Sequence, residues 1–206
     1  AVIKAVNKYQ DLLRISVASA GNDHRLGASE APPAIISMFL GDEITEIFKA
    51  IIEGRKYEGK RSEMEIGVDV LPHFPKDTTD RNRTSPFAFT GNKFEFRSPG
   101  SSISIAVPTT TINTAFADVL DDFYLELAGT ENFHEALDEL IKKTIVENEA
   151  ILFNGDGYSR EWVEEAERRG LHNLASTPEA LSHLLDEENV ALFERQGVYS
   201  RTELES

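Results

Sequence analysis

Cysteine is absent from the 206 residues. Neither disulfides nor thiolate chemistry can contribute, which suits a cytoplasmic location. No apolar run approaches the roughly 18 residues of a membrane helix, so no membrane partner is expected. Neither half carries a run of Lys and Arg of the kind that grips a phosphodiester backbone, so no nucleic-acid partner is expected either. A Gly-rich phosphate loop, a nucleophile elbow and a Cys/His pair are all missing. The five histidines, His24, His73, His134, His172 and His183, show no ligand spacing such as H-x-x-x-H. His134, His172 and His183 read as surface residues. "GDGYS" has the start of a calcium loop, without the further carboxylates or the closing glutamate.

What is present is divided unevenly. Residues 1–110 carry 14 Lys/Arg and 14 Asp/Glu, whereas residues 111–206 carry 7 and 22, so the whole net charge of −15 sits in the second part. Such a surface repels phosphates. About 40% hydrophobic content is enough for a real core, in one large domain or two small ones. The chain opens on Ala1 with Val2, Val6, Tyr9 and Leu13 already at helical spacing and no cap before them, which reads as a piece of a longer protein.

The periodicity predicts a helix over about 1–15, then a small-residue loop, "SVASAGNDHRLGASEAPPA", stiffened by two prolines. Residues 34–53 read as helical fragments broken at Gly41. "EMEIGVDVLP" alternates as a half-buried strand. Phe87 and Phe89 alternate with Ala88 and Thr90, Phe94 and Phe96 with Lys93, Glu95 and Arg97, and Gly91-Asn92 lies between. That pattern predicts a hairpin pairing Phe89 with Phe94 and Phe87 with Phe96, four rings on one face. A long amphipathic helix follows from Ile112 to Leu127. Thr130 is expected to cap a second helix over about 131–149, and two or three short helices finish the chain, one opened by a Ser176/Glu179 capping box.

Three charged groups stand out. Lys93, Glu95 and Arg97 at a spacing of two project from one side of a strand, about 6–7 Å apart. Two cations favour the ionised carboxylate, which can ligate a divalent metal while the cations hold phosphate or carboxylate. A solvated strand face with weak ion pairs fits the same pattern. Arg25 and Glu30 lie five apart on the flexible loop, as in a substrate clamp or in an ordinary surface loop. Arg83, near Pro86, is expected at the mouth of the hairpin, turned toward whatever the polar face binds or, as an ordinary surface charge, toward solvent.

In order and spacing, "NDHRLGASEAP", "NRTSPFAF" and "KFEFR" resemble the second half of the glutamine synthetase catalytic domain, with the long type III class the nearest match. The tail "ILFNGDGYSREWVEEAERRGLHNL" resembles that class specifically. The resemblance implies an α+β fold, an antiparallel sheet with flanking helices over residues 1–128, followed by an acidic all-helical extension over 129–206. It implies ATP-dependent ligation of ammonia to L-glutamate through γ-glutamyl phosphate, with Mg2+ or Mn2+. Arg25 would bind the substrate carboxylate, helped by Arg97, and Glu30 would sit on a closing flap and assist ammonium deprotonation. Arg83 and Arg97 would neutralise the phosphoryl group, Lys93 and Arg83 would stand near the nucleotide, and Glu95 would be a metal ligand. The parent would be a homo-oligomer of stacked hexameric rings, and this chain alone inactive. Family members usually carry arginine where this chain has Lys93 and often where it has Ala88, and most space the flap R and E by six. Another carboxylate–amine ligase or a guanidino kinase of the same fold, or a non-catalytic module, is the alternative.

Overall fold

The computed structural model describes residues 1–28, 31–57, 63–64, 74–75, 85–100 and 102–206. The first helical stretch divides at Tyr9 into α1 (Val2–Lys8) and α2 (Gln10–Ser16). The break lets the Tyr9 ring sit fully buried, with its hydroxyl donating to Asp118. A short α3 (Ala20–Arg25) follows, capped by the Ser19 side chain.

Residues 34–40 do not form the helical fragment that their apolar run suggests. Met38–Phe39 is a strand, β1. A short run buried on all sides cannot be told from a helix by periodicity. Here Ile35, Ile36, Met38 and Leu40 are all buried, which suits an extended segment covered on both faces. The helix α4 (Gly41–Glu53) starts directly after it. Its first amides are capped from far away: the Asn154 side-chain oxygen accepts from the N–H groups of Leu40 and Gly41 at 3.0 and 3.1 Å. The "FNGDGYS" turn thus closes a helix more than a hundred residues upstream.

Of the expected half-buried strand, residues 63–64 form β2 (Glu63–Met64), paired antiparallel with β3 (Phe74–Pro75), and the rest lies outside the described residues. The Phe hairpin forms as its sequence predicts, β4 (Phe87–Phe89) against β5 (Phe94–Phe96), in the expected register. The sheet order is β1-β4-β5, and β1 runs parallel to β4, so this sheet is mixed where an antiparallel one was expected.

The second part is helical: α5 (Ala106–Leu127), α6 (Phe133–Glu147), α7 (Arg160–Arg168), α8 (Thr177–Leu181), α9 (Glu187–Arg195) and α10 (Arg201–Glu205). Asn132, not Thr130, caps α6, its side chain accepting from Glu135 N–H; Thr130 instead donates its hydroxyl to Leu127. Ser176 and Ser200 each complete a capping box. Two backbone stitches tie this part to the sheet, a bridge between Met38 and Leu152 and another between Ile35 and Asn173. One hydrophobic cluster accordingly joins Val6, Leu13, Met38 and Phe87 to Ile151, Trp162 and Leu171. A second joins Tyr9 and Leu12 to Val119, Leu192 and Phe193. No helix among the described residues is long and apolar enough to cross a membrane. Leu120, Tyr124 and Leu125 of α5 stand exposed together, and Phe133 lies half exposed at the start of α6.

Candidate functional site

The hairpin owes its shape to its turn. Gly91 has φ of +93°, which a side chain would resist, and Thr90 N–H donates to Lys93 O at 2.9 Å across a two-residue loop. Period-two alternation then sorts the side chains. The Phe rings gather on one face, with centroids 5.1 to 6.0 Å apart for Phe89–Phe94, Phe87–Phe96 and Phe87–Phe94. Phe87 anchors that face in the core with Met38, its register partner on β1. The other face carries Phe39, Ala88 and Glu95 in register. Ala88 is fully buried, so this face is covered at its centre and open toward Glu95.

On that open side Glu95 lies between two cations. Lys93 Nζ is 2.9 Å from one carboxylate oxygen and Arg97 Nε is 3.0 Å from the other. Exposure grades across the three, from 64% for the Lys93 side chain through 33% for Glu95 to 15% for Arg97. The hydrogen bond from Lys93, then that from Arg97, holds the Glu95 carboxyl below the usual range, so it stays ionised at neutral pH. Arg97 is fixed further by the backbone, its N–H donating to Pro86 O at 2.7 Å. Two cations and one carboxylate leave the trio net positive, an arrangement that attracts a phosphate or carboxylate.

The loop after α3 is tied at its neck by a Leu26–Ala31 bridge and by Gly27 N–H donating to Pro32 O at 2.9 Å. Arg25 stands exposed at the last position of α3. Glu30 and Arg83 lie outside the described residues. The structure therefore brings Lys93, Glu95 and Arg97 together and sets Arg25 at the base of a pinned loop.

Sequence reasoning passed over the residue that joins the two. Asn22, fully buried on α3, donates its amide to Val17 O at 2.6 Å and to Pro99 O at 3.0 Å. The second bond fastens the Arg25 loop to the strand exit just beyond Arg97. Asn22 opens the quoted "NDHRLGASEAP" stretch, and that was its only signal. Burial obliges its amide nitrogen to find acceptors, and one of the two lies 77 residues away.

A divalent hard cation takes six or more oxygen ligands, several from carboxylates or substrate. The hairpin offers one carboxylate, Glu95, with both oxygens already facing cations. The described residues around it therefore do not complete such a site.

Comparison with known proteins bears on the same segments. Residues 136–206 match the family described as glutamine synthetase C-terminal domain. The chain is 48% identical to the type-3 glutamine synthetase of Dictyostelium discoideum, over 100% of this chain and 29% of that protein. It is 44% identical to a glutamine synthetase of Bacteroides fragilis (strain YCH46), over 98% of this chain and 29% of that protein. This chain belongs to the glutamine synthetase family. A relative from Butyrivibrio fibrisolvens, 42% identical over the whole chain, agrees. The chain spans about 29% of the length of each glutamine synthetase it matches. The matches run through the charged hairpin and the acidic helices alike, so both are parts of the family's longer chain.

Proposed function

We propose that this chain supplies one wall of the catalytic site of a glutamine synthetase, the parent protein joining ammonia to L-glutamate at the expense of ATP through γ-glutamyl phosphate. The observation that carries this reading is the ionised Glu95 held between Lys93 and Arg97 on the open side of a rigid hairpin. Phosphoryl transfer needs little covalent help from protein. It needs cations placed around the oxygens of the moving group, in a site that excludes water.

On this reading Arg97 and Arg83 face the transferred phosphoryl group, and Lys93 and Arg83 stand by the nucleotide. Arg25 and Arg97 hold the substrate carboxylate. Glu30 lies on the flap whose neck is pinned at Leu26 and Ala31, and assists ammonium deprotonation. Glu95 contributes one oxygen ligand to Mg2+ or Mn2+, the others coming from outside this chain. Lys93 replaces a fork by a point charge and so grips a phosphate with less directional control. The exposed apolar residues of α5 support burial against other parts of a cytoplasmic, homo-oligomeric parent, assembled as stacked hexameric rings. Residues 1–128 belong to the catalytic domain and 129–206 form its helical extension, and the chain alone is inactive.

Changing Glu95→Ala in the full-length parent tests the assignment. Glutamine formation should fall by about 10²-fold or more with the oligomer intact by gel filtration. Unchanged turnover would leave the charged strand as a solvated face and make this chain a structural module.

A further inference from the structure

Asp11 on α2, His172 after α7 and His183 after α8 meet at one point, although 161 residues separate the aspartate from the nearer histidine. The His172 Nδ1 lies 2.9 and 3.0 Å from the two Asp11 oxygens. The His183 Nδ1 lies 3.8 Å from Asp11 and 2.8 Å from Asp186. The two imidazoles stack with centroids 5.2 Å apart and planes 28° from parallel. The candidate ligand atoms of Asp11, His172 and His183 all fall within 4.8 Å of one another.

We propose that Asp11, His172 and His183 form a binding site for a divalent transition cation of the zinc class, stapling α2 to the C-terminal helices. This rests on none of the roles assigned to the hairpin. Ligands at about 2.0–2.1 Å from a tetrahedral zinc ion stand about 3.3 Å apart. The observed separations of 2.9 and 3.8 Å to Asp11 bracket that spacing and all three ligand atoms lie within 4.8 Å, so side-chain shifts of about 1–1.5 Å bring them onto one ion. Two imidazoles with one carboxylate suit zinc, cobalt or nickel far better than magnesium or calcium, which prefer oxygen throughout. Asp186, at the edge, offers a fourth ligand, the second carboxylate, or an acceptor for a bound water.

The backbone under each ligand is already fixed. Leu12 and Leu13 are buried beside Asp11, and Leu171 beside His172. His172 N–H donates to Gln10 Oε1 at 3.3 Å. The His183 carbonyl accepts from Asp186 N–H at 3.2 Å and from the Asn189 amide at 2.8 Å. With the ligands placed before the cation arrives, little ordering opposes binding. A plain hydrogen-bonded Asp–His pair is the competing account, and it makes no use of His183 facing the same carboxylate.

The test uses the full-length parent in excess MgCl2, which occupies sites that accept magnesium. CoCl2 reports coordination by its visible absorption, and ZnCl2 its effect on melting. Wild type should take up one cobalt with the intense bands of a four-coordinate nitrogen and oxygen site, and zinc should raise its melting temperature. The partly exposed His172→Gln and His183→Gln should each lose those bands, weaken zinc binding at least about 10-fold and abolish the melting shift. Either variant, once shown folded by circular dichroism, decides the matter. Bands and shift unchanged in that variant, or no cobalt bands in wild type, would overturn the site.

Discussion

Two carboxylates in this chain each sit among cations, and they behave as opposites. Glu95 lies on a hairpin between Lys93 and Arg97, one-third exposed and, among the described residues, paired with residues two positions away. Asp118 lies in α5, 1% exposed, and receives Tyr9 and Lys8 from the α1 region and Arg195 from α9. Burial raises the Asp118 carboxyl. The hydrogen bonds from Tyr9 and Arg195 and the Lys8 charge outweigh it, so the group ends below its ordinary value. The same knot pushes the Tyr9 hydroxyl up, through burial first and then Asp118. One cluster fastens three helices from distant parts of the chain, while the ion pairs of the other run along a single strand. Identical chemistry thus serves cohesion where water is excluded and leaves charges available where it is not.

The contrast can be broken most sharply at Asp118. Asp118→Ala strands the buried Tyr9 hydroxyl and leaves Arg195 and Lys8 without their shared acceptor. Unfolding free energy should fall by about 2–4 kcal/mol by denaturant titration. A loss under about 0.5 kcal/mol, the size of a neutral surface change, would show that the knot holds no helices together.

Acid probes the same group without mutation. Its folded pKa lies below the ordinary 3.8, so its stabilisation is complete above that value and is lost as pH falls toward the folded pKa. Melting temperature should therefore drop below about pH 4 more steeply in wild type than in Asp118→Asn, whose amide does not titrate. Parallel acid profiles in the two proteins would remove Asp118 from the account.

The smallest effect on folding is expected at the hairpin. Glu95→Gln should leave the denaturation midpoint close to that of wild type, because ion pairs open to solvent contribute little to folding. A cost as large as that at Asp118 would give Glu95 a structural role and erase the contrast.

Much of the hairpin was legible before any coordinates. Its turn, register and shared Phe face follow from Gly91-Asn92 and alternation, which act over a few residues. The Ser176/Glu179 box, α4 and most of the later helices are local in the same way. What was not legible involves partners far apart. The run from Ile35 to Leu40 became a strand segment because the β4 hairpin and residues 152–153 offer it backbone partners on both sides. Thr130 looked like the α6 cap, yet Asn132 won by reaching the Glu135 amide. His172 and His183 looked like separate surface residues because nothing in their spacing reveals Asp11.

The amino-acid order alone determined the elements whose free energy is local: turn chemistry at Gly91, caps at Ser176 and Ser200, and the 3.6-residue stripes of the long helices. Tertiary structure decided the rest. It placed Asn154 on the α4 terminus, Asn22 between the loop and the strand exit, Tyr9 and Arg195 on Asp118, and two imidazoles around Asp11. Each joins groups at least 77 residues apart, where short-range periodicity carries no signal. Burial brings them together, because a polar group taken from water must find its partner wherever the chain has put one.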